Sequence, residues 1–160
     1  MLRSLALTAM LLAPTAAFAQ DLPTAPYLPL DLATSAALAA IEACAAGGYN
    51  VSVAVVGRDG ATKVLLKADM SGPHTGSSAE GKAFTAAALG RDAGELADFI
   101  AANPNNNGLR DMDARFVIQA GGLPIRIGEA LVGGIGVGGA PNGGLDADCA
   151  RAGLTAIGAE

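Results

Sequence analysis

Apolar residues recur along this chain in two rhythms, one near 3.6 residues and one near two, and the switches between them divide it into elements. In LATSAALAAIEACAA, residues 32–46, Ala37, Ile41 and Cys44 or Ala45 fall three to four residues apart, which gives a helix one apolar face. Asp31 stands ahead of it as an N-cap, and Gly47-Gly48 closes it. VSVAVV, residues 51–56, is a β-branched strand. Arg58-Asp59-Gly60 offers the positive φ angles of a hairpin turn, so residues 62–68 return as a second strand. The polar loop ADMSGPHTG is broken at Gly72-Pro73, and a helix then runs from Ser77 to Leu89. Gly90 ends it, and Asp92-x-x-Glu95 is a capping box for another helix reaching Ala102. The run Asn103-Pro104-Asn105-Asn106-Asn107-Gly108 reads as a loop.

The stretch RFVIQAGGLPIRIGEALVGGIGVGGAP, residues 115–141, organises the rest. It holds strand-like segments at 116–119 and 130–137, with a turn-bounded piece at 124–127 between them. Glycines at Gly133, Gly134 and Gly136 would weaken the last strand unless another backbone or a ligand must come close. The ribbon is therefore expected in the middle of a sheet with something lying tightly against it. A last helix spans Leu145 to Ile157. The order predicts an α+β domain, a five-stranded antiparallel sheet packed with helices, over residues 31–160. Residues 20–30, with Pro23, Pro26 and Pro29, form an extended leader to it.

The first nineteen residues change the picture of where the domain works. Arg3 supplies a basic start, residues 5–12 an apolar run and Ala17-Phe18-Ala19 a cleavage site, the pattern of a secretory signal peptide. No further unbroken apolar stretch is long enough to span a bilayer, so no membrane insertion is expected. Without Arg3 there are nine basic residues against fifteen acidic ones, a net charge of −6. The basic residues are scattered singly, which excludes an electrostatic footprint for nucleic acid. With no Trp, two Tyr and four Phe, the core must come from Ala, Val, Leu and Ile. So many small residues favour close backbone packing and extensive subunit contacts. Cys44 and Cys149, 105 positions apart in an exported chain, read as a disulfide, with two free buried thiols as the alternative. They can meet if the first and last helices lie side by side.

Candidate chemistry is sparse. Gly134-x-Gly136-x-x-Gly139 has the spelling of a dinucleotide loop, but Pro141-Asn142-Gly143-Gly144 stands where that loop needs a helix. His74 is the one histidine. An imidazole near the Met70 thioether could ligate haem iron axially; the plainer reading is a solvated loop histidine. Asp111-x-Asp113 and Asp146-x-Asp148 lack calcium-loop spacing and read as surface or cap residues. Ser71, Ser77 and Ser78 lie near His74 without a nucleophile elbow, and Glu80 and Lys82 are the acid–base candidates. None of this constitutes an enzyme signature.

The segments AVVGRDG, SAEGKAFTAAALGR, AGGLPIRIGEALVGGIGVGGAP and LDADCARAGLTAI, in this order, resemble the GlcG/HbpS family of haem-binding and haem-degrading domains, over residues 31–157. The resemblance implies a profilin-like fold, a homo-oligomer and, in the exported branch, binding of haem linked to sensing or to protection against oxidative stress. It places Lys82 and Thr85 in the shared helix motif and Gly121, Gly122 and Pro124 in the shared turn. A ligand pocket is expected between those segments, with residues 71–76 as its rim and His74 and Met70 as candidate iron ligands. Met70-Ser71 departs from the glycine-rich Asp-Gly loop of many relatives. Three readings follow: an exported haem- or tetrapyrrole-binding protein, sensor or scavenger; a module for a small organic acid paired by Lys82 or Arg126; and a haem-degrading enzyme. A purely structural oligomer is the remaining alternative.

Overall fold

Four strands and four α-helices form along residues 21–160, the part of the chain that the computed structural model describes. The expected signal peptide, residues 1–19, lies outside the described residues. The order is α1 (Leu30–Ala46), β1 (Ser52–Gly57), β2 (Thr62–Lys67), α2 (Thr75–Leu89), α3 (Ala93–Ala102), a 3₁₀ helix (Pro104–Asp111), β3 (Gly122–Ile127), β4 (Ala130–Gly138) and α4 (Gly143–Ala156). The strands pair antiparallel in the order β2-β1-β4-β3, giving an α+β domain.

Alternation along the strands sends side chains to two different layers. Val53 and Val55 of β1, Leu123 and Ile125 of β3 and Ile135 and Val137 of β4 pack against the alanine face of α1 and against Ala150 and Leu154 of α4. Ala54 and Val56 face the other way, onto Ala79, Ala83 and Ala87 of α2. Those three alanines are four residues apart, so they form one ridge along the helix. Leu28 of the leader is fully buried in the first layer and anchors the entry to α1. Gly153 of α4 leaves no room for a side chain beside Ala36 O and Ala40 of α1. At that close approach Cys44 and Cys149 are joined in a disulfide, with Cα atoms 5.4 Å apart.

What lies tightly against the glycine ribbon is α2. A Cβ at Gly134 would strike Ala83 O, and one at Gly136 would strike Ala79 O, so the helix backbone rests directly on β4. Gly136→Ala is accordingly expected to lower unfolding free energy by about 1–3 kcal/mol through overpacking, read as a drop in the urea midpoint. An unchanged midpoint would show that α2 can shift outward freely.

The fifth strand does not form. Residues 116–118 cross α2 as a strap, because the Thr85 hydroxyl accepts the Val117 N–H at 2.9 Å where a neighbouring strand would have done so. Gly81 lets the strap pass, since a Cβ there would meet Val117 and, at 2.9 Å, Arg115 O. Smaller differences have local causes. Asp31 sits in the first turn of α1 rather than at its cap, which is Pro29 in extended conformation, and a carboxylate there suits the helix dipole. The asparagine-rich run is helical, entering its 3₁₀ turns through Pro104. α2 starts at Thr75, β3 at Gly122, and α4 at Gly143, where the Asn142 side chain accepts the Leu145 N–H at 3.0 Å.

Candidate functional site

A cleft of about 580 Å³ opens beside the N-terminal half of α2, between the β1–β2 hairpin and the strap. That volume suits a small-molecule site. Val56, Phe84 and Val117 give it apolar walls. Phe84 is 9 % exposed and packs against Phe116 in a tilted pair, with ring centroids 5.7 Å apart. Gly60, at φ +77°, supplies both the hairpin turn and the room for that ring, which a Cβ would approach to 2.5 Å.

Arg115 lies over the Phe84 ring, its guanidinium 3.8 Å from the ring centroid. Asp113 grips it as a fork, with Nε to Oδ1 at 3.0 Å and Nη2 to Oδ2 at 2.6 Å. The Arg115 side chain, and then its backbone N–H, hold the Asp113 carboxyl down at about 2, while Asp113 raises the guanidinium. A carboxyl depressed in the folded state keeps its charge until the pH falls through that value, so the fork persists at any ordinary pH. Both groups are solvent-facing, so the pair orients Arg115 more than it stabilises the fold. Opposite it, the Glu80 carboxylate accepts the Thr62 hydroxyl at 3.0 Å.

His74 stands at the mouth of this cleft. It occupies the residue before α2 with helical angles, φ −85° and ψ −12°, and makes no capping bond, which leaves its imidazole free. Met70 is not in the cleft; it is 91 % exposed, on a left-handed turn at φ 64°. Of the expected pair, only the histidine meets the cavity.

The segments expected to flank the pocket pack on each other instead. Lys82 is 2 % exposed and donates to Asp146 Oδ2 at 2.8 Å and Val137 O at 3.0 Å. Asp146, read from the sequence as a surface or cap residue, is a buried counter-ion whose other oxygen accepts the Ala140 N–H at 3.0 Å. Gly121, at φ +109°, skirts Lys82 Nζ and the Asp146 Cβ, and a side chain on Gly122 would strike Lys82 O. Thr85 is consumed between Gly81 O and the strap. No space separates Lys82 and Thr85 from Gly121 and Gly122, so the cavity lies further toward the start of α2. Pro124 lines a separate hollow of about 330 Å³ beside α4. Arg126 donates to Gly90 O at 3.1 Å, and neither of the two cations named for an organic acid lines the cleft.

Sequence reasoning passed over Phe84, Arg115 and Val117. The only local signal was the spacing of Asp113-x-Arg115, which permits the fork. Among the described residues, no group of three or more His, Cys, Asp and Glu could hold a metal ion, and no helix is long and apolar enough to cross a membrane.

A layered α+β domain with a cleft walled by one helix, a hairpin and a strap is the class these observations define. The chain belongs to the HbpS-like family: the model described as haem degrading protein HbpS-like matches residues 28–155. The crystal structure of a double mutant of Streptomyces reticuli HbpS is 45 % identical, with a TM-score of 0.80 over 89 % of this chain and 95 % of that one. The crystal structure of a PduOC:heme complex is 25 % identical, with a TM-score of 0.77 over 84 % and 98 % of the two chains. Klebsiella pneumoniae ORFY, 22 % identical with a TM-score of 0.81 over 89 % and 98 %, shares the fold. No curated protein matches the chain.

Proposed function

We propose that the protein is an exported haem-binding protein, a scavenger or sensor, and that the cleft beside α2 is its site. The observation that carries this reading is one cavity joining a free imidazole, an apolar aromatic wall and a guanidinium. This donor set fits a flat apolar ring system bearing carboxylates. His74 would ligate the iron, Val56, Phe84 and Val117 would cover the ring face, and Arg115 would meet a carboxylate through Nη1, the nitrogen that the Asp113 fork does not use. Bound haem would supply a redox-active iron that such a base can ligate. The family's description and the heme complex of a structural relative support the same ligand. Export is supported by the pattern of the first nineteen residues and by the disulfide, which belongs to oxidising compartments.

Haem titration followed by absorbance tests this. Saturation at about one haem per subunit, with micromolar or tighter affinity, is expected, and His74→Ala should shift the Soret band and weaken binding about tenfold. Weak, unsaturable uptake by the parent protein would sink the reading. Ascorbate added to the complex separates a binder, which keeps its Soret band, from a haem-degrading enzyme, which loses it.

A further inference from the structure

We propose that Lys67 is the positioning residue that sets His74 at the mouth of the cleft. The inference rests on the reading above only for what the histidine is used for; the placement itself stands on separate observations.

Lys67 ends β2, an edge strand, where a lysine ordinarily extends into water and guards the edge. Here its ammonium reaches into the loop that follows. Four oxygens surround Nζ: Ser71 Oγ at 2.5 Å, Ser71 O at 2.7 Å, Gly72 O at 2.8 Å and Thr75 Oγ1 at 3.4 Å. None belongs to a carboxylate, so the charge is met by carbonyls and hydroxyls that only a folded loop brings together. An ammonium has three protons to donate, and this loop offers acceptors for all of them.

The rest of the loop is built to hold that cage. The Ser71 hydroxyl donates to Ala68 O and the Thr75 hydroxyl to Gly72 O, each at 2.8 Å. Thr75, 2 % exposed, also meets the Ser52 hydroxyl at 2.8 Å, which fastens the loop's far end to β1. Between those ties the chain turns through Met70 at φ 64°, a conformation that a non-glycine residue keeps only when its surroundings impose it. His74 follows Gly72-Pro73, and its ring folds back toward Gly72, where a Cβ would come within 2.9 Å of Cε1. Among the described residues the ring itself has no hydrogen-bond partner, so its position depends on that of the backbone carrying it. Lys67 thereby fixes a group it does not touch, and the ordering that ligation would otherwise require is already in place.

The single histidine allows a test that needs no ligand. In Lys67→Met, the imidazole resonances should move toward those of free histidine, and exchange of the Ser71 and Thr75 amides, which bond Ala68 O and Gly72 O, should quicken by about tenfold. Ser71→Ala, which removes one oxygen and leaves β2 intact, should do the same more weakly. Unchanged imidazole signals and exchange in Lys67→Met would overturn the inference. Haem titrations then separate the two ideas by a double-mutant cycle. Lys67→Met should weaken haem binding and alter the Soret band in the parent, and do neither in a His74→Ala background. An equal loss in both backgrounds would overturn action through His74. If the imidazole signals move while His74→Ala binds haem as the parent does, the haem-ligand reading fails and the positioning by Lys67 stands.

Discussion

Lys82→Met is expected to lower unfolding free energy by about 3–5 kcal/mol. The methionine keeps most of the stem volume but leaves the Asp146 carboxylate buried without its countercharge, and strips Val137 O of its donor. Asp146→Asn added to Lys82→Met should recover part of the loss. The amide can still accept the Ala140 N–H through its oxygen, and nothing ionic is then left in the interior. Asp146→Asn alone strands the ammonium instead and should cost a similar amount. Urea unfolding of the four proteins reads the coupling directly. Costs that simply add would mean that water reaches the pair and that the three elements it joins, α2, β4 and α4, are held by packing alone.

Replacing both Cys44 and Cys149 by alanine is expected to cost about 2–5 kcal/mol, near the top of the range for a bridge 105 residues apart. Most of this should arise in the unfolded chain, which regains the freedom that so long a loop removes, so the folded protein should keep its shape. The bond joins α1 to α4 on one face of the sheet, whereas the cleft opens beside α2 on the other. Haem affinity should therefore stay within about twofold of the parent at a temperature where both are folded, even as the thermal midpoint falls. A matching loss of affinity and stability would show that the bridge shapes the cleft as well as the unfolded state.

Much of the architecture was legible because its signals are local. Asp59-Gly60 can only turn a hairpin, Gly90 can only end α2, and the glycines of β4 announced a close neighbour before that neighbour was known. Residues 116–119 misled because an apolar β-branched run looks the same whether it pairs with a strand or crosses a helix. The deciding partner, the Thr85 hydroxyl, lies more than thirty residues upstream. The same long reach hid the role of Lys82. Its motif is plain in the sequence, but Asp146 lies 64 residues away, so the sequence shows the lysine without the buried carboxylate that takes its charge. His74 stood out by being alone of its kind. Arg115 and Phe84 did not, since only the fold brings an ordinary arginine over an ordinary phenylalanine.

The grip on α2 divides the cleft into a half that tolerates change and a half that does not. Below, the helix backbone rests on Gly122, Gly134 and Gly136 of the sheet; above, Gly81 admits the strap without a spare methyl's width. A retuned ligand preference, whether reached by drift or by design, has to come from the opposite wall, at Thr62 and Ala114, which line the cavity from the hairpin and from the start of the strap. The helix is the fixed jaw of the site, and the hairpin and strap are the adjustable one.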